Sequence, residues 1–303
     1  MSRGESTRPA LIINADDLGI HPDIDAGILS AYRSGILTSA TMLTTTAYLE
    51  RTVADYVRPC ALPLGLHLSL TLGKAVAPRG AVPDLIDPEG NLCLSAAQLI
   101  TMSPRSETGR RILPQIHTEF EAQLGRASDC GLLATHADSH QHVHMNPAIF
   151  TLMEELLPRF GIRRIRFSRE PFAASALWRD LPAITARRNL PKWLLLRWCA
   201  ARIKPRLESN DDFFGVLYSG VINRRVMRDL LTRLQPGRVM EVGIHPGFRA
   251  PADVQDYPRP GYNRFISSPE RDAERDLLST TEIIALAQAR NIRLQSFDGR
   301  EKG

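Results

Sequence analysis

Short apolar runs alternate with helix-like stretches along almost the whole chain, and this alternation limits the fold more than any other feature. ALIINA (10–15), ILTSATMLTTT (36–46), LPLGLHLSL (62–70), LLATHADS (132–139), IRRIRF (162–167), RVMEVGIH (238–245) and NIRLQSF (291–297) read as strands. Between them lie helical patterns. Ile24, Ile28, Ala31 and Tyr32 recur near helical spacing, and Gly35 stands where such a helix would stop. Further helices are expected over 47–56 and 109–124, after Asn146-Pro147, and after a Ser268 cap with Pro269 at the first helical position. Strands that alternate with helices pair in parallel through crossovers, which makes this an α/β protein. A single-domain irregular (β/α) barrel of mainly parallel strands is the expected architecture, with a doubly wound open sheet as the alternative. In both, a site lies at the carboxyl ends of the strands.

The 303 residues suffice for one large core, and no repeat or linker divides them. The formal net charge of +5 is mild and spread out, and neither zinc-finger spacing nor an aromatic RNA motif is present, so no nucleic-acid partner is expected. Cys60, Cys93, Cys130 and Cys199 stand far apart and read as thiols of a reducing compartment. With no apolar leader and no run of about 18 apolar residues, a cytoplasmic location is the expectation. Residues 72–98, rich in proline and glycine, read as a long substrate-facing loop.

The polar residues at the strand ends carry the chemistry. Asp16 and Asp17 of NADDLG would point to opposite faces of a regular strand, so they share a site only if the chain bends, for which Leu18-Gly19 is suited. His67 sits between leucines, where a core histidine is the ordinary reading. THADSHQHVH (135–144) is stronger. If extended, it puts His136, Asp138, His140 and His142 on one face, where some could coordinate a cation and others orient the ligands. His245 of HPG ends another strand. Two imidazoles and one carboxylate leave coordination positions open for water and substrate, as a catalytic rather than a structural metal site does.

In order and spacing, NADDLG, GLHLSLTLGKAV, HADSHQHVHMNP and HPG closely resemble the YdjC-like carbohydrate deacetylases, the ChbG/HpnK family, over about residues 10–295. The resemblance implies a NodB/glycoside-hydrolase-like barrel and a metal-dependent hydrolase that removes the N-acetyl group from an acetylated amino sugar and releases acetate. It implies one divalent ion, Mg2+ or Zn2+, on Asp17, His67 and His140, with Asp16 as catalytic base and His245 as general acid. Asp138, His142, His144, Arg166 and Glu170 fall to substrate binding or to orienting the ligands. Arg166 and Glu170 could equally form a structural pair. IRFSREPF and NDDFFGVLYSG look like the hopanoid-associated branch, whereas HQHVHMNP looks like the chitooligosaccharide branch, so the sugar, any attached lipid and a homodimer stay open.

Two other reaction classes fit parts of the pattern. A non-haem iron oxygenase uses two His and a carboxylate, but usually on a jelly roll with a local H-x-D pair. A metal-dependent phosphoesterase needs metal and aspartate, yet no Gly-rich phosphate cradle is present. PKWLLLRWCAARIKPR (191–206) mixes Trp193 and Trp198 with Lys192, Arg197, Arg202 and Lys204. It reads as an outer barrel helix with snorkelling basic side chains, the alternative being peripheral contact with a membrane.

Overall fold

The structure, a computed structural model, describes residues 8–171, 182, 184 and 189–302. The strands are β1 (Ala10–Leu18), β2 (Ser39–Met42), β3 (Leu64–Leu68), β4 (Ala137–Ser139), β5 (Asp212–Phe214), β6 (Val239–Ile244) and β7 (Arg293–Leu294). They pair in the order β4-β3-β2-β1-β6-β5, with β7 on β1, and every pairing is parallel. Parallel bridges Ala137↔Ile165 and Arg164↔Glu208 carry the pairing from β4 round toward β5. The result is a curled sheet with helices outside it, the irregular barrel that the alternation predicts.

β1 lies at the centre and is buried at all nine residues. A strand covered on both faces reads as a continuous apolar run, which is what ALIINA shows. One hydrophobic cluster extends from Leu11 on β1 to Ile292 beside β7.

Several boundaries differ from the sequence reading, each for a local reason. The expected long C-terminal helix is two helices, Glu270–Leu278 and Thr281–Ala289, broken at Ser279-Thr280, and Pro269 rather than Ser268 occupies the cap position. IRRIRF makes only bridge pairs at Arg164 and Ile165. Residues 72–98 are not structureless. Antiparallel bridges Lys74↔Asn91 and Ile86↔Leu92 close them, Val82, Leu85 and Leu92 are buried, and Glu119 accepts from the Val76 and Ala77 amides. Asn146 caps its helix, Pro147–Leu156, as predicted, accepting from the Ala148 and Ile149 amides.

Residues 191–200 of the segment 191–206 belong to a helix, Asn189–Ala200, that buries Trp193, Leu196, Cys199 and Ala200, and 201–206 follow it as turn and loop. Trp198 is exposed and Arg202 stacks over it. One face of the helix packs on the protein, and Leu194 and Trp198 stand exposed on the rest. Among the described residues, no helix is long and apolar enough to cross a membrane.

Candidate active site at the carboxyl ends of the strands

β1 does not stay regular to its end. Its register with β2 shifts between Ala15 and Leu18, and Asp17 takes a left-handed backbone with φ 70°. Aspartate tolerates that region better than most residues. The bend expected at Leu18-Gly19 therefore falls one residue earlier, at Asp17 itself. It allows both adjacent carboxylates to serve one end of the barrel, where a flat strand would have separated them.

His67 on β3 and His140 just after β4 join Asp17 there. Asp17 Oδ1 lies 3.1 Å from His140 Nδ1 and 3.5 Å from His67 Nε2. Donor atoms of the three residues all fall within 4.8 Å of one another, and all three residues are buried. Ligands about 2 Å from a tetrahedral ion stand roughly 3.3 Å apart, so the spacing suits one cation. His140 Nε2 is buried without a hydrogen-bond partner. His67 gives its other nitrogen, Nδ1, to Asp138 Oδ1 at 2.6 Å. A carboxylate behind an imidazole in this way fixes the ring and frees Nε2 for a metal. Asp16, His67 and Asp138 also converge, but their oxygens are engaged by Arg166, so the Asp17 group is the open one.

Arg166 organises the layer beneath. Fully buried, it gives Nη1 and Nη2 to the Asp16 carboxylate at 2.8 and 2.7 Å, Nη1 to Asp138 at 2.6 Å and Nε to Glu241 at 2.6 Å. Burial would raise the Asp16 pKa, but the guanidinium outweighs it and holds the carboxyl well below its usual range. Asp17 is likewise held low against its burial by His140 and Arg271, whose Nη2 donates to Oδ2 at 3.2 Å. At His67, burial opposes the charge but Asp138 overrides it, raising the pKa to about 9.

The other predicted residues separate. THADSHQHVH is not an extended strand past Ser139: residues 140–145 turn into a 3₁₀ segment, and Gln141 and His142 have positive φ. The expected common face for four side chains is thereby lost. His142 lines the cavity and bonds Ser168 Oγ at 2.9 Å. His144 points away, bonded to Ser139 Oγ at 2.6 Å and packed near Phe150, and burial lowers its pKa to about 3. His136 stacks on Phe297 with ring centroids 3.7 Å apart. Glu170 pairs with backbone rather than with Arg166, accepting from the amides of Gly215, Val216 and Leu217. Phe172, which ends IRFSREPF, lies outside the described residues.

His245 follows β6 beside the same cavity. Its backbone is set by Glu274, which accepts its amide at 2.7 Å, and by close packing on the helix Pro22–Ser34. A Cβ at Gly27 of that helix would sit 2.2 Å from the Phe248 amide nitrogen, so only glycine admits the HPG segment there. Burial lowers the His245 pKa to about 4 although Asp17 and Asp16 favour its charge.

The cavity has a volume of about 430 Å³, and Asp16, His67, His140 and His245 line it. None of its described lining residues belongs to 72–98. That segment borders it indirectly, because Arg259, which does line it, donates to the carbonyls of Cys93 and Leu94. Sequence reasoning missed Lys192, Arg259 and Tyr262, which also line the cavity. Their only signal was to be basic or aromatic on elements far from any motif.

Residues 10–289 match the family described as YdjC-like protein. The chain belongs to the YdjC-like family. It is 30% identical to a chitooligosaccharide deacetylase of Serratia marcescens over 241 residues, 78% of this chain and 81% of that protein. It is 26% identical to a carbohydrate deacetylase of Clostridium beijerinckii, covering 95% and 98%. Human carbohydrate deacetylase is 36% identical over 58% of this chain and 54% of its own length. The matches to the mouse and Brevibacillus brevis carbohydrate deacetylases cover 56% and 57% of those proteins, so this YdjC-like chain spans about half the length of these curated relatives. A solved Enterococcus faecalis structure, of a candidate cellobiose-phosphate cleavage protein, superposes with TM-score 0.70 at 24% identity over 97% of this chain and 100% of that one. That likeness establishes the fold of this YdjC-like protein.

Proposed function

We propose that this protein is a metal-dependent N-deacetylase of acetylated amino sugars, releasing acetate and a free amine. The observation that carries the reading is the meeting of Asp17, His67 and His140 at a cavity also lined by Asp16 and His245. The names of the relatives support the substrate class. Asp17, His67 and His140 would hold the ion, with Asp138 orienting His67. Zn2+ suits the nitrogen ligands, and Mg2+ suits the site if more water completes it. The chemistry a divalent ion supplies there is polarisation of the acetyl carbonyl and a lowered pKa for the attacking water.

Asp16 enters ionised and accepts the proton of that water. It holds the proton weakly, because Arg166 favours its carboxylate. His245 faces the departing nitrogen. Burial keeps it neutral at rest, so it takes up a proton during turnover before giving it to the amine, rather than waiting protonated. The test is acetate release from a panel of acetylated amino sugars and glycolipids, with and without chelator. Activity is expected to vanish with chelator and return with added Zn2+ or Mg2+. Release that persists after metal stripping would end the reading. Asp16→Asn is expected to retain the ion and lose about 10²–10⁴-fold in kcat. Metal analysis beside single-turnover rates checks this, and normal turnover would remove Asp16 from the base role.

A further inference from the structure

The helix Asn189–Ala200 puts Lys192 into the cavity with Asp16, His67, His140 and His245. Its first turn is docked from two sides. Asn189 Nδ2 donates to the carbonyls of Leu217 and Ser219, each at 3.0 Å. Trp193 Nε1 and Arg197 Nη1 donate to the Glu170 carbonyl at 3.3 and 3.2 Å, and the Glu170 carboxylate is itself held by three backbone amides. The backbone carrying Lys192 is therefore tied to Ser219, which lines the cavity, and to the Glu170 backbone.

Most strong donors that line this cavity are already engaged. Arg259 is tied to the Cys93 and Leu94 carbonyls, and the Tyr262 hydroxyl donates to the Thr71 carbonyl at 2.8 Å. Lys192 makes no hydrogen bond or ion pair to any described residue. A half-buried ammonium has lost part of its hydration, and leaving it without an acceptor costs free energy unless an acceptor arrives with the ligand. Lys192 lines the cavity beside Asp16 and His245, and Asp16, Glu170 and Asp17 favour its charged form. Burial lowers its pKa to about 8, which leaves it mostly protonated at neutral pH.

We infer that Lys192 is a further catalytic residue, whose ammonium donates a charge-assisted hydrogen bond to the acetyl oxygen of the substrate as that oxygen becomes negative. The inference rests on the deacetylase reading. As the water oxygen bonds to the acetyl carbon, the carbonyl π pair moves onto the acetyl oxygen, and a water proton passes to Asp16. The pair returns as the carbon–nitrogen bond breaks and the nitrogen takes a proton. Lys192 keeps its own proton throughout. A donor aimed at developing charge in a site poor in water favours the transition state over the ground state.

The test uses the full chain loaded with Zn2+. Lys192→Met is expected to lower kcat about 100-fold with KM, metal content and melting temperature unchanged, and Lys192→Arg to retain part of the rate. A second arm needs no turnover. Methylphosphonate, a tetrahedral anion, is expected to bind the Met variant at least about tenfold more weakly by calorimetry, while neutral acetamide binds both proteins alike. Unchanged kcat, or equal methylphosphonate affinity, overturns the inference. Wild-type protein that binds methylphosphonate through Lys192 yet releases no acetate from any substrate would instead overturn the deacetylase reading and leave the anion contact standing.

Discussion

Arg166→Met is expected to destabilise the fold by about 3–5 kcal/mol, the range for removing one partner from a buried ion cluster. Arg166 is 0% exposed and serves Asp16, Asp138 and Glu241 at once. In the intact cluster the charges balance. With no metal bound, Arg166 and protonated His67 face the Asp16 and Asp138 side chains, while burial, outweighing Arg166, raises the Glu241 pKa to about 8 and keeps it mostly neutral at pH 7. Met fills similar space but leaves one cation against two buried carboxylates. A loss of this size lowers the melting temperature by on the order of 10 °C in a chain of this length. The pH dependence follows in sign. The folded-state pKa of Asp16 lies well below its ordinary value, so Arg166 contributes stability above about pH 4, and this is lost as pH falls through the folded pKa. The gap between wild type and Arg166→Met should therefore be widest near neutrality and narrow in acid. Urea unfolding at pH 7 and at about pH 2 checks this. A gap under about 1 kcal/mol at pH 7, the size of an exposed pair, would mean that water reaches the cluster. Arg166→Lys is not expected to rescue it, because an ammonium cannot serve three carboxylates in a planar fork.

This cluster also marks where the sequence stops being legible. Arg166 stands in IRRIRF, and its partner Asp16 lies 150 residues away. Nothing local says whether an arginine on a short strand turns inward to pair with acids or outward to meet substrate. The barrel was legible because strand and helix periods are local, and so were the polar strand ends, because motifs stand at them. The side chains' directions were not. His140 reaches the site, and His144 is turned away, because Gln141 and His142 adopt left-handed backbone that an extended reading of THADSHQHVH excludes. Asp16 and Asp17 share an end of the barrel because of one bulge. Lys192 stayed hidden for a related reason. Its helix looks only weakly amphipathic, and the docking of Asn189 and Trp193, which aims it at the cavity, depends on residues 20 and more positions distant.

His67→Ala is expected to abolish metal binding and acetate release together, and a graded series of substitutions tests the whole site. Asp138 meets His67 at its far nitrogen and also pairs with Arg166, so Asp138→Asn should weaken metal affinity or activity about 10–100-fold, the usual cost of losing a partner behind a metal-binding histidine. His67→Ala removes the donor itself and should exceed that, as should Asp17→Ala and His140→Ala. His144→Ala should leave metal content unchanged, since its Nδ1 is spent on Ser139 and its ring lies near Phe150. The four histidines of one short stretch are thus predicted to differ by position in space, not in sequence. Metal content by elemental analysis after dialysis, with rates on the best acetylated sugar, checks the order. The comparison that decides is His140 against His144. Equal metal loss in both would point to a second coordination mode around the Ser139 turn. Loss in neither would remove Asp17, His67 and His140 as a metal centre, and the proposed hydrolysis with it, whatever the relatives do.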